Sequence, residues 1–440
     1  MRSKFSVVLG AVLLMAETAW AADASMFRGD LGHSGSYGGG GIAHLDGTKW
    51  TYHGGGQFIA SPAVSGNTVY EGGTDGFLYA LDRRTGALKW KFATGDRIVS
   101  SPAVAAGTVY FLSYDGNLYA VAAANGALKW KFATGGERRF AAKHLHGSKP
   151  VAETMPDPWD CYLSSPAIWK GTVYFGSSDT YVYAVAAESG ALRWKFKTGD
   201  VVHASPAVSG GTLYIGSWDT YFYALDAVTG AEKWRFKTGD DENIHNQTGI
   251  QSSAAVADGT VYFGSRDSHV YALDAATGAK RWAFATANSW VNNSPAVRGG
   301  KVYAATSDTG LIYELDARTG KPDFSVSVRK WPVFASPALS GDMLYAGLFS
   351  GEVEALDLKT HKSLWRFATE ASRKNAPALT AADGNGNFGA AFSSDFYDDS
   401  VAGYVRLLTL GSILASPVVA DGTLYIASTD GTLYALSLTP

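Results

Sequence analysis

Three groups of residues have types and spacings that chemistry could use. The first lies between Gly135 and Tyr162: Arg138, Arg139, Lys143, His144, His146 and Lys149, then Trp159, Asp160 and Cys161. His144 and His146 would share a face if this segment were extended, which could begin a metal site; a solvated basic loop is the plainer reading. The same cations suit a small anionic ligand or an acidic partner surface. The second group lies between Thr369 and Ser412. Asp383, Asn385 and Asn387 follow the alternation of a calcium loop, and Asp395, Asp398 and Asp399 could add oxygens. Phe388 and Ser394 stand where such a loop needs its glycine and glutamate, so a Gly/Asn turn competes with a metal site. An enzyme built here would use a carboxylate such as Asp160 or Asp395 as base and Arg138 or Arg139 as anion clamp. No motif in the chain assigns a catalytic residue.

The third group breaks a pattern. His203, Gln251 and Asn292 occupy a position that is Ile59, Val99, Leu163, Phe334 and Leu414 elsewhere in the chain. Polar residues at an otherwise apolar position either form a binding site or hydrogen-bond a neighbouring loop. Trp159, Trp218, Trp290 and Trp331 lie near these segments. They could stack a planar or sugar ligand, anchor a partner, or fasten the loops to the body of the protein.

The elements that must position these residues are repeats. The unit reads S-P-A-V, turn, T-V-Y-x-G-S, x-D, Y-A-L-D, T-G-A-x-K-W-x-F. Its serine falls at Ser61, Ser101, Ser165, Ser205, Ser253, Ser294, Ser336 and Ser416, and a tyrosine follows nine residues later each time. Four short alternating runs per unit, separated by Gly, Asn and Asp turns, predict four-stranded blades. The expectation is an all-β, eight-bladed β-propeller of antiparallel blades. The eighth unit lacks its fourth strand. The segment Gly47–Tyr52 matches that strand and should close the ring by pairing with the last blade. The tryptophan of the fourth run should fill the wedge between blades and donate its indole N–H to a carbonyl. Asp75, Asp115, Asp179, Asp219, Asp267, Asp308 and Asp430 should serve backbone donors in the second turn. The domain reading is a signal peptide over 1–21, a lead-in segment over 22–46, and the propeller over 47–440. Insertions at 135–162, 239–250 and 369–412 all follow a fourth strand, which puts them over one mouth of the central channel, where function is usually carried.

The Y-A-L-D-x-x-T-G-A-x-K-W-x-F motif resembles the tryptophan-docking repeat of the pyrroloquinoline quinone (PQQ)-like propellers, from Trp50 to the C-terminus. Met26–Gly35 resembles the segment before the first blade in that family. The resemblance implies one of several functions. Its members include quinoprotein dehydrogenases, which would imply PQQ and calcium, the assembly propeller of the Bam complex, and a few hydrolases acting on sulfur oxyanions. The dehydrogenases share a vicinal disulfide over the cofactor, which a chain with one cysteine cannot form, and there is no C-x-x-C-H haem site. The acylation cysteine of the Bam lipoprotein is also missing. The reading is a binding scaffold of the cell envelope; alternatives are a small quinoprotein-type oxidoreductase or a hydrolase of a small anionic substrate.

Arg2, Lys4, the apolar run Val7–Ala16 and Ala19-Trp20-Ala21 form a cleavable export signal, so the mature protein is expected to be periplasmic or secreted, with no transmembrane segment after cleavage. A net charge of −3 gives no electrostatic reason to bind nucleic acid. The expected partner is an envelope protein or a small anionic or planar ligand at the insertion-bearing face.

Overall fold

A computed structural model describes residues 23–38, 44–239 and 248–439. The leader lies outside the described residues, as do Asp240 to Gln247 of the second insertion. The fold is an eight-bladed β-propeller. Blade 1 consists of Ala63–Ser65, Thr68–Gly72, Phe77–Asp82 and Leu88–Ala93. Seven blades repeat this antiparallel meander. In the eighth, His44–His53 pairs antiparallel with Thr432–Thr439, with Trp50 opposite Ala435, and supplies the missing outer strand.

A ring of serines shows how the blades are counted and closed. The backbone N–H of Ser61 donates to Ser101 Oγ, and the relation passes from blade to blade until Ser416 N–H donates back to Ser61 Oγ. All eight bonds measure 2.8–3.1 Å. At the serine no inner strand is available to pair with the first strand, and this bond satisfies a buried donor that would otherwise be orphaned.

The outer ring is held by tryptophan and glycine together. Trp50, Trp90, Trp130, Trp194, Trp234 and Trp282 donate Nε1–H to a turn carbonyl of the next blade at 3.0–3.1 Å. Each indole lies on the glycine of that turn. At Gly126 φ is +73° and a Cβ would come within 2.6 Å of Trp90, so both conformation and space demand glycine. The junction of blades 6 and 7 swaps both partners: Phe324 stands for the tryptophan and His361 for the glycine, stacked 4.1 Å apart. Trp365 has no acceptor for its indole N–H among the described residues.

The lead-in closes one mouth of the channel. Its carbonyls accept backbone N–H groups from successive first strands: Ser25 from Val104, Leu31 from Val208, Gly32 from Val256, Ser34 from Val297 and Gly35 from Leu339. Ser36–Tyr37 then runs parallel to Ala338–Ser340 of blade 7. Arg28, fully buried, donates to the carbonyls of Pro337 at 2.6 Å and Pro295 at 3.0 Å. Phe27 points into the channel beneath the serine ring, where a cavity of about 40 Å³ remains.

The first and third insertions cover the opposite mouth. The first forms a short hairpin, Ala141–Ala142 with Met155–Pro156. The third forms helices α1 (Glu370–Leu379), α2 (Phe388–Ala391) and α3 (Tyr397–Leu408), with Thr369 Oγ1 capping α1. They are joined by Lys149 N–H to the Asp395 carbonyl, Tyr397 N–H to the Lys149 carbonyl, and the Tyr397 hydroxyl to the Pro156 carbonyl. Among the described residues no helix is long and apolar enough to cross a membrane.

Candidate functional site

Two layers of side chains face the covered mouth. The lower is the first-strand layer that contains His203, Gln251 and Asn292. The upper comes from the residue before the second-turn aspartate, or before Ser350 in blade 7: Thr74, Tyr114, Ser178, Trp218, Arg266, Ser307, Phe349 and Thr429. Buried polar groups in these layers bind the first insertion in two clusters.

The first cluster centres on Arg266, which is 1% exposed. Its Nη1 meets Asp157 Oδ2 at 2.5 Å, Nη2 donates to Gln251 Oε1 at 3.0 Å and Nε donates to Asn292 Oδ1 at 3.1 Å. The guanidinium carbon lies 4.2 Å from the Trp218 ring centroid and 4.3 Å from that of Trp290. A delocalised, weakly hydrated cation tolerates such a sandwich better than an ammonium would. Phe140 stacks on Trp218 with ring centroids 4.2 Å apart. His146 Nε2 lies 3.0 Å from Asp157 Oδ1. Burial alone would raise the Asp157 carboxyl, but Arg266 and His146 overcome it and hold the group well below the usual carboxylate range. Thus two of the three polar breaks in the apolar layer, with Trp218 and Trp290, hold one buried arginine.

The second cluster is a chain: Asp160 Oδ1 to His203 Nδ1 at 2.7 Å, His203 Nε2 to Ser178 Oγ at 2.7 Å, and Ser178 Oγ donating to Glu137 Oε2 at 2.6 Å. The order carboxylate–imidazole–hydroxyl is that of a nucleophilic triad. Here Ser178 and Asp160 are 0% exposed, and Glu137 takes the hydroxyl proton a nucleophile would give to the imidazole. Asp160 also accepts the Phe140 N–H at 2.6 Å. The chain anchors the insertion, and Asp160 has no route to a substrate as a base. Burial alone would lower the His203 pKa, but Asp160 and Glu137 raise it above the ordinary histidine value.

Other expectations fare differently. His144 and His146 both have left-handed backbone angles on either side of buried Leu145, so the extended geometry a His-x-His metal pair needs is absent. Arg138 is exposed and lies 3.5 Å from Asp200, while half-buried Arg139 faces Tyr114, Tyr404 and Asp160; neither forms an anion clamp. In the Asp383 turn, Asn385 donates to both carboxylate oxygens, at 3.0 and 2.6 Å, and Asn387 is exposed. These bonds make a Gly/Asn turn and not a calcium loop. No cluster of three His, Cys, Asp or Glu residues suited to a metal occurs among the described residues. Trp331 is 1% exposed and packs edge-on against Phe388, which fastens α2 to blade 7. Cys161 is a buried free thiol that burial pushes up to about 12.

Between the covering insertions and blades 6 and 7 a recess of about 380 Å³ remains, lined by Trp159, Trp290, Phe334, Phe388 and Phe392, with His146, Ser307, Asp308 and Pro332. This is within the size range of small-molecule sites. PQQ, a flat tricarboxylate, does not fit this lining: among the described residues it offers one carboxylate, Asp308, and no arginine or lysine. The channel cavity below is far too small for it.

An eight-bladed ring of serine-linked, tryptophan-wedged blades with an insertion-covered mouth defines a PQQ-like propeller. The family model described as outer membrane protein assembly factor BamB matches residues 17–155, 159–248 and 243–439, and the chain belongs to this family. Among solved structures it is similar to BamB from Moraxella catarrhalis, with 16% identity and a TM-score of 0.66 over 89% of this chain and 99% of that one. It is equally similar to quinohemoprotein alcohol dehydrogenase ADHIIG from Pseudomonas putida HK5, with 15% identity and a TM-score of 0.67 over 95% of this chain and 80% of that one. A europium-containing methanol dehydrogenase gives 14% identity and a TM-score of 0.66, covering 95% and 98%. At these identities the likeness is one of fold. No curated protein matches the chain.

Proposed function

We propose that the protein is a binding scaffold of the cell envelope, exported by the leader over 1–21, with the insertion-covered mouth as its binding face. One observation carries this reading. The charged groups at that mouth are paired in bonding the first insertion to the blades, through Arg266–Asp157 and the Asp160–His203–Ser178–Glu137 chain, while the recess beside them is left open and aromatic. Rigid aromatic walls suit recognition, and a hydroxyl sealed between His203 and Glu137 does not suit catalysis. Membership of the BamB family supports an envelope role and a protein partner; the quinoprotein neighbours share the fold but have no matching cofactor lining here.

Photo-crosslinking from Phe388 and Phe392 in intact cells tests the reading. A discrete envelope adduct from both positions, absent from a probe placed at Val228 on an outer turn, is the expected result. Stoichiometric uptake of PQQ with calcium, together with dye-linked alcohol oxidation, would replace the scaffold with an oxidoreductase.

A further inference from the structure

Asp308 does not do what its six counterparts do. Asp75, Asp115, Asp179, Asp219, Asp267 and Asp430 each accept the hydroxyl of a tyrosine four residues on, Tyr79, Tyr119, Tyr183, Tyr223, Tyr271 and Tyr434. The turn of blade 6 is one residue longer, Asp308-Thr309-Gly310, so its tyrosine is Tyr313, five residues on. The extra residue takes Asp308 off its structural post. Among the described residues only Oδ2 accepts hydrogen bonds, from the Ser289 hydroxyl at 3.2 Å and the Trp290 backbone N–H at 3.0 Å. The residue is exposed and, among the described residues, supplies the only acidic group in the recess lining. Arg266, whose charge reaches Asp308, is already matched by Asp157. Among the described residues no lysine or arginine forms an ion pair with Asp308.

We propose that the recess binds a small organic ammonium ion, with its charge on Asp308 and its apolar body among Trp159, Trp290, Phe334 and Phe392. A carboxylate with no lysine or arginine ion pair among the described residues, set in aromatic walls, is complementary to a cation in both charge and quadrupole. It repels the anionic ligands that the basic residues of the first insertion seemed to invite. The inference rests on the recess being the binding site and adds the charge of what enters it.

The test uses the full mature chain and four probes of one shape: benzyltrimethylammonium, benzylamine, benzyl alcohol and benzoate. Calorimetry and tryptophan fluorescence read the binding. Both cations should bind saturably at one site, about tenfold or more tighter than the alcohol, with benzoate weakest. Asp308→Asn should remove that preference and leave the alcohol's affinity unchanged. Deleting Thr309 restores the repeat's turn length and should remove the preference too, which gives a second variant if the first folds poorly. Benzyl alcohol binding as well as the cations overturns the charge assignment and leaves the recess reading intact. Failure of every probe at millimolar concentration, together with no crosslink from Phe388 or Phe392, overturns both.

Discussion

The two mouths of the channel are closed by different means. At the lead-in mouth the closure is mostly backbone: carbonyls of Ser25, Leu31, Gly32, Ser34 and Gly35 take N–H groups from blade after blade, and Arg28 adds two more carbonyl contacts. At the insertion mouth the closure is made by side chains, through Arg266–Asp157 and the Asp160–His203–Ser178–Glu137 chain. Backbone closure depends little on residue identity, whereas side-chain closure fails at single positions. The second mouth can therefore change its shape by small sequence changes while the first keeps the ring shut.

Substitutions at the two ends should differ accordingly. Arg266→Ala leaves Asp157 buried without its cation and should cost about 3–5 kcal/mol in urea unfolding. Asp157→Asn in the same chain should recover part of the loss. Equal losses for the single and double variants would mean that the pair is not the unit. Arg28→Ala should cost less, about 2 kcal/mol, because the surrounding backbone bonds persist. It should leave ligand affinity at the far mouth unchanged.

A site at neither mouth provides a reference. Glu71 is 0% exposed, one carboxylate oxygen lacks a partner, and burial raises its pKa well above the usual value. Blades 2, 3 and 5 carry Phe111, Phe175 and Phe263 at this place. Glu71→Phe should stabilise the protein by about 1–2 kcal/mol at pH 7. A group with a raised folded pKa costs stability as pH climbs above its unfolded value, so the gain should shrink below about pH 4.5. Thermal melts at pH 4 and pH 7 decide this.

The smallest effect belongs to His203. Its pKa is raised in the fold, so its contribution is fully present below the unfolded histidine value of about 6.5 and fades as pH rises through the folded value. His203→Gln should flatten the fall in melting temperature between pH 6 and pH 9. An unchanged slope would place the titration elsewhere.

Much of the ring was legible in the sequence because it is local and repeated. The eight serines, the closing strand at Trp50 and the turn aspartates follow from spacing alone. The polar breaks at His203, Gln251 and Asn292 were also visible, but their partners were not. Arg266 and Asp157 are 109 residues apart and meet only because blade 5 and the first insertion converge on one mouth. Arg266 had a signal, since the residue before the turn aspartate varies from blade to blade. Asp308 passed as one more structural aspartate because a single added residue does not disturb the repeat's motif, only its register. At Asp383 the geometry is the Gly/Asn turn that competed with a calcium loop, and His144 and His146 are not extended; short motifs fix composition and not backbone conformation.

The serine ring also constrains how the molecule comes into being. Its last bond joins Ser416 to Ser61 across 355 residues, and the final sheet needs His44–His53, which is made first. That early strand cannot pair until Thr432–Thr439, at the far end of the chain, has been made. Seven blades can form in order of synthesis, but the clasp is a late event with a long loop to close. Until then Thr432–Thr439 presents an open strand edge, and that interval is when the protein most needs protection from pairing with a neighbour.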